Sequence, residues 1–97
     1  MDSLSAAAPS AVRAILQKGP MSTGKLRLAW RVAVGAAMDR ATTVALADDG
    51  LVEVSAVDAA WRREVKRSQG EILGRLQYLV GAGALKKIRV ISRPTQP

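Results

Sequence analysis

Residues 42–57 carry the strongest indication of the fold, and they read Thr42-Thr-Val-Ala-Leu-Ala-Asp-Asp-Gly-Leu-Val-Glu-Val-Ser-Ala-Val57. Within this stretch, Asp48-Asp49-Gly50 separates two segments rich in valine and other strand-forming residues. An Asp-Gly pair between such segments is typical of a β-hairpin turn. We therefore predict a hairpin with strands over residues 43–47 and 51–57.

Two helices are predicted on the N-terminal side of the hairpin. Residues 10–17 predict a short helix and residues 25–40 a longer one. The apolar residues of the longer helix recur at helical spacing and form one stripe, which consists of Leu26, Trp30, Ala33, Val34 and Ala37. Gly35 costs about 1 kcal/mol relative to alanine inside a helix, so we expect another element to approach closely there.

Two further helices are predicted on the C-terminal side. Asp58 is a good N-cap for a helix that buries Trp61 and Val65. After an expected break at Gly70, a second helix continues until Gly81. The two helices therefore follow the hairpin one after the other.

A third strand is predicted over residues 87–91, where Ile88 and Val90 alternate with Lys87 and Arg89. The element order α-α-β-β-α-α-β predicts an α+β fold with helices packed on a three-stranded sheet. We expect a single domain with short ends: a mobile N-terminus (1–8), the domain itself (9–92) and a tail (93–97).

The amino-acid composition excludes the commonest enzyme mechanisms. The chain contains no cysteine and no histidine, so it lacks the commonest zinc ligands, the cysteine nucleophile and the histidine base. The loop at residues 19–25 departs from a phosphate-binding loop because Leu26 follows Lys25 where a hydroxyl should bind magnesium. We expect no enzyme activity, no cofactor and no metal site.

The N-terminal residues show no basic segment followed by an apolar run, and no apolar run reaches the ~20 residues of a membrane span. We therefore expect a cytoplasmic protein that does not associate with membranes.

Positive charge is concentrated in the C-terminal part of the chain. The whole sequence has 15 basic and 8 acidic residues, and residues 58–97 contain nine of the basic and three of the acidic ones. A concentrated positive field attracts polyanions. Nucleic acid is therefore the leading class of partner.

A helix and a strand provide the candidate binding residues. On the predicted helix after Asp58, burial of Trp61 and Val65 directs four cations outward together, and the last strand adds three more. The predicted nucleic-acid-binding residues are Arg62, Arg63, Lys66, Arg67, Lys86, Lys87 and Arg89. The alternative is a solvated charged face without a ligand. We expect Trp30 and Trp61 to pack in the core rather than stack on bases.

Short motifs recur in a particular order along residues 21–91. They are Gly24-Lys25, Trp30-Arg-Val-Ala-Val-Gly35, Thr42-Thr43, Asp49-Gly-Leu-Val-Glu-Val54, Ala59-Ala-Trp61, Glu64-Val65, Glu71-Ile-Leu73, Arg75-Leu76 and Ile88-Arg-Val90. Each motif is weak alone, but two tryptophans separated by a helix end and a hairpin form a specific ordered set. With these motifs, residues 21–91 resemble the DciA family of bacterial proteins.

The resemblance implies a K-homology-like fold of type II order and a role in loading or operating the bacterial replicative DNA helicase. The implied partners are single-stranded or fork DNA and the helicase. The sequence contains no G-x-x-G, so it lacks the backbone-clamping loop of K-homology RNA-binding domains. The alternatives are a small RNA- or ribosome-associated K-homology-like protein and an interaction domain that binds no nucleic acid specifically.

Overall fold

The computed structural model describes residues 10–91. Within this range, five helices, a 3-10 turn and three strands alternate along the chain. Their bounds are α1 (10–16), α2 (Thr23–Val34), α3 (Ala36–Arg40), β1 (Thr42–Leu46), the 3-10 turn (Asp48–Gly50), β2 (Leu51–Ala56), α4 (Ala59–Arg67), α5 (Gln69–Val80) and β3 (Lys87–Val90).

The strands form a mixed sheet in the order β1-β2-β3. β1 and β2 are the predicted antiparallel hairpin, with Leu46 opposite Val52, whereas β3 runs parallel to β2, with Ile88 opposite Val52. The prediction of an α+β fold with helices on a three-stranded sheet is confirmed. Helix α2, the hairpin, helices α4 and α5 and strand β3 follow the order expected of a type II K-homology-like domain.

The helices bury one face of the sheet. The inward residues of the strands, Val52, Val54 and Ile88, join a core with apolar residues of every helix except the short α3. Trp30 is the largest buried side chain, with 1% of its surface exposed, and its Nε1 donates to Thr42 Oγ1 at 2.9 Å. The predicted core role of Trp30 is therefore confirmed.

The predicted helix over residues 25–40 is wrong in one respect, because Gly35 divides it. Gly35 has φ +88°, a left-handed conformation that favours glycine, and it ends α2 and begins α3. Apart from its two chain neighbours, no residue in 10–91 has an atom within 4 Å of the position that a Cβ would take. The glycine is therefore needed for backbone conformation, not for the close approach that we expected.

Trp61 is also placed differently from the prediction. It is only half-buried, and it lines a surface groove with Val34 and Met38 at the junction of α2 and α3. The first turn of α4 lies over this junction, while Val65, one turn later, is fully buried against the sheet. Val65 is therefore the residue that anchors α4 in the core.

Of the two helix ends predicted after the hairpin, the first lies two residues earlier than expected and the second lies where it was expected. The break predicted at Gly70 occurs at Ser68, which ends α4 and precedes α5, and Gly70 lies inside the first turn of α5. Gly81 ends α5 as predicted, with φ +98°.

The expected mobile N-terminus and the C-terminal tail lie outside the described residues. Among the described helices, none combines the length and the apolar character that crossing a bilayer requires.

Candidate nucleic-acid interface

Helix α4 has a side-chain N-cap at its start and basic residues in its last turn. Asp58 Oδ1 accepts a hydrogen bond from the backbone N–H of Trp61 at 2.8 Å. This bond satisfies one of the free donors of the first turn. Lys66 and Arg67 lie in the last turn, where positive charge is favourable beside the helix carboxyl end.

Three of the four predicted helix cations are exposed. Arg63, Lys66 and Arg67 face solvent and line a shallow groove of about 550 Å³. Arg62 is half-buried, and its Nε has no hydrogen-bond partner within residues 10–91. The exposed three therefore form the outer cationic face of α4, whereas Arg62 lies at its border.

One carboxylate reduces the charge of this face. Glu64 lies within the groove and forms an ion pair with Arg67, one turn later. The side chain of Arg67 is 75% exposed and that of Glu64 is 39% exposed, so water screens the pair and it contributes little to stability. Arg63 and Lys66 have no ion pair with a described residue.

The strand cations face a different side of the sheet. Lys87 and Arg89 are exposed and alternate with the buried Ile88, so they point away from the helices. Arg89 forms an ion pair with Glu53, its register partner on β2, at 3.0 Å. Lys86 precedes the strand and is also exposed. The structure therefore does not bring the seven predicted residues onto one face.

The free edge of β3 connects the two groups of cations. Gln69 Nε2 donates to the carbonyl oxygen of Ile88 at 2.7 Å. Because Gln69 follows Arg67 by two residues, this bond holds the end of α4 at the edge of β3. The helix cations flank that edge on one side of the sheet, and Lys87 and Arg89 flank it on the other.

Gln69 is the residue that sequence reasoning missed at this site. An uncharged side chain at a helix start shows no periodicity or charge that would distinguish it from any solvent-facing glutamine. Tertiary structure brings Gln69 to the site. The parallel pairing of β3 with β2 leaves the Ile88 carbonyl at a free edge of the sheet, where the Gln69 side chain binds it.

The loop at residues 19–25 has the structure of a helix start. Lys25 Nζ donates to the backbone carbonyls of Lys18 and of Pro20, the latter at 2.9 Å, and the backbone N–H of Lys25 donates to Ser22 Oγ at 3.2 Å. The amine is thus engaged by the loop itself, as expected of a loop with an N-cap and unlike a phosphate-binding lysine.

One known protein family matches most of the chain. The model of the family described as "Dna[CI] antecedent, DciA" matches residues 3–90. The chain belongs to the DciA family. DciA proteins are loaders or operators of the bacterial replicative helicase, and the family relationship inferred from the two tryptophans and the hairpin is confirmed.

One curated DciA relative is a UPF0232 protein of Rhodococcus jostii (strain RHA1), which is 39% identical over 49 residues. The matched segment covers 50% of this chain and 26% of the relative, so this DciA chain corresponds to only a part of that protein. No solved structure matches the chain.

Proposed function

We propose that this DciA-family chain is a non-catalytic cytoplasmic adaptor that binds single-stranded or fork DNA and helps to load or operate the replicative helicase. The observation that carries the proposal is the outer cationic face of α4, which ends at the free edge of β3. Family membership supports the role in helicase loading or operation, and the charge and its placement support DNA as the ligand.

The proposed mechanism is electrostatic guidance of a DNA strand. Arg63, Lys66 and Arg67 contact consecutive phosphates, and the strand continues past the β3 edge towards Lys87 and Arg89. Such contacts release counterions and hold the backbone without reading the bases. Arg62 contributes at the border of the surface, and Lys86 extends it before β3. These cations hold the DNA, and a separate surface of the chain binds the helicase.

Replacement of Arg63, Lys66 and Arg67 together by alanine tests the DNA site. Each phosphate contact with single-stranded DNA contributes about 0.7 to the slope of log affinity against log salt, so the slope should fall by about 2. At low salt the Kd should rise roughly tenfold or more. Fluorescence anisotropy with a labelled single strand across a salt series measures both quantities.

The matched control removes three cations from the other side of the molecule, in the variant Arg27→Ala, Arg31→Ala and Arg40→Ala. All three are exposed, and the loss of charge is the same. The control should keep the slope of the natural protein. Equal losses in the two variants would mean that only the net charge matters, and the α4 site would be rejected.

The adaptor role is tested by retention of the replicative helicase on the immobilised protein after nuclease treatment. We expect direct retention at moderate salt, and the α4 variant should retain the helicase as well because its altered residues contact DNA. Absence of helicase, combined with tighter binding to RNA than to DNA of the same sequence, would replace this proposal with the RNA-associated alternative.

A further inference from the structure

Another groove lies at the opposite edge of the sheet from the proposed DNA site. It has a volume of about 540 Å³ and runs between α2, α3 and β1. Residues of all three elements form its walls, among them Arg27, Leu28, Arg31, Asp39, Thr42 and Val44. Since the sheet order is β1-β2-β3, β1 has no described strand on this side.

The backbone of β1 offers this groove hydrogen-bonding groups that no described strand pairs with. The N–H of Ala47 bonds to Leu51, and the carbonyl of Ala41 accepts from Val57, so the odd-numbered residues face β2. In an antiparallel pair the bonds alternate, and the N–H and C=O of Val44 therefore point to the free edge. Thr42 and Leu46 have the same orientation.

Two cations and an apolar side chain flank this edge. Arg27 and Arg31 are exposed and lie one helical turn apart on α2. The ion pairs between described residues involve Arg67, Arg75 and Arg89, so neither of these two guanidinium groups forms an ion pair with a described carboxylate. Leu28, beside them, has 42% of its surface exposed.

Partly buried hydrogen bonds hold the walls of the groove together. Trp30 Nε1 donates to Thr42 Oγ1, which in turn donates to the carbonyl of Met38 at 2.7 Å. These bonds join α2, β1 and α3 at one point. The edge is therefore preformed, and binding a ligand there costs little conformational entropy of the protein.

We propose that this groove binds an extended acidic peptide segment of a protein partner, which adds to β1 as a fourth strand. The segment pairs its backbone with Val44 at the two-residue repeat of a β-strand. Its alternate side chains face α2, where Arg27 and Arg31 bind carboxylates. A nucleic acid fits less well, because the free edge presents the alternating N–H and C=O groups of a β-strand, which a sugar-phosphate backbone cannot pair with.

This site does not rest on the proposed DNA function. β2 separates β1 from β3, so the two sites lie at opposite edges of the sheet. The chain binds the peptide and DNA at the same time, and either site can be lost without the other.

The probe is a capped peptide of about eight residues that alternates glutamate and valine, which is long enough to form one strand. We expect saturable binding by calorimetry and amide shifts confined to β1 and the facing side of α2. Hydrogen exchange at the Val44 amide should slow roughly tenfold or more on binding. The same peptide with alternate backbone nitrogens methylated retains the charge but cannot pair, and it should not bind.

Charge reversal tests the contribution of α2. The Arg27→Glu, Arg31→Glu variant should bind the peptide roughly tenfold more weakly or worse, whereas Arg63→Glu, Lys66→Glu should bind it normally while losing DNA. Val44→Pro removes an edge donor without removing a bond to β2, and edge strands tolerate proline. It should also abolish binding.

Several results would overturn the proposal. These are the absence of binding by the glutamate–valine peptide, equal binding of the methylated peptide, and a dimer of this chain that pairs through β1. Binding of a thymidine oligonucleotide that is lost in Arg27→Glu, Arg31→Glu but kept in Arg63→Glu, Lys66→Glu would assign the groove to nucleic acid instead.

Discussion

Trp30→Ala lowers the free energy of unfolding by about 3–5 kcal/mol, the range for truncation of a fully buried tryptophan. The indole is 1% exposed and belongs to the core between α2 and the sheet. Its removal leaves a cavity and deprives Thr42 Oγ1 of its donor. Since small domains are stable by roughly 5–15 kcal/mol, this is a large part of the total. Urea unfolding followed by circular dichroism measures the loss.

Trp61→Ala provides the matched comparison, because it is the same change at a half-buried position. Trp61 lines the groove with Val34 and Met38 and is partly in contact with water already. We expect a loss of about 1–2 kcal/mol. Equal losses at the two positions would contradict the difference in burial. A Trp61→Ala variant of unchanged stability that binds DNA weakly would show that this indole stacks on bases.

Gly50→Ala should destabilise the protein by about 3 kcal/mol, through backbone strain and steric overlap. Gly50 has φ +76°, and a Cβ there would lie 2.9 Å from the carbonyl oxygen of Ala84 and 3.1 Å from the backbone nitrogen of Lys86. Both contacts are backbone atoms and cannot move aside cheaply. The Gly50 carbonyl also accepts from the Lys86 N–H at 2.8 Å, so the start of β3 depends on this turn.

Gly74→Ala is the control for that substitution. Gly74 lies inside α5, and beyond the helix's own backbone no described atom lies within 4 Å of the position that its Cβ would take. Alanine is favoured over glycine in a helix by about 1 kcal/mol, so the variant should be more stable than the natural protein. If Gly50→Ala unfolded at the same urea concentration as the natural protein, the close approach of the turn to residues 84–86 would be disproved.

Local patterns predicted most of the secondary structure. The Asp-Gly turn and the alternation of Val52 and Val54 located the hairpin, and Asp58 located the start of α4. These features depend on neighbouring residues only, so they are readable along the chain. The division of the long helix at Gly35 was missed, because glycine is compatible both with a helix interior and with a left-handed turn that ends a helix.

The candidate site was only partly predictable for a related reason. Periodicity predicted four outward cations on α4, and the structure exposes Arg63, Lys66 and Arg67 but leaves Arg62 half-buried at the border. Periodicity also showed that Lys87 and Arg89 share one side of β3. It does not show which side of the sheet each element faces. Nor did it reveal the groove of Arg27 and Arg31, because that groove exists only where α2 lies beside the free edge of β1.

The sequence by itself determined the hairpin, the helix start at Asp58, the placement of cations on α4 and the family. All of these follow from residues close together in the chain, whose spacing and local hydrogen bonds are set by backbone geometry. Only the tertiary structure decided the parallel pairing of β3 with β2, the two free edges of the sheet and the partial exposure of Trp61. It also decided that the cations of α4 and those of β3 lie on opposite sides of the sheet. These depend on contacts between distant segments, which are settled by packing of the whole core.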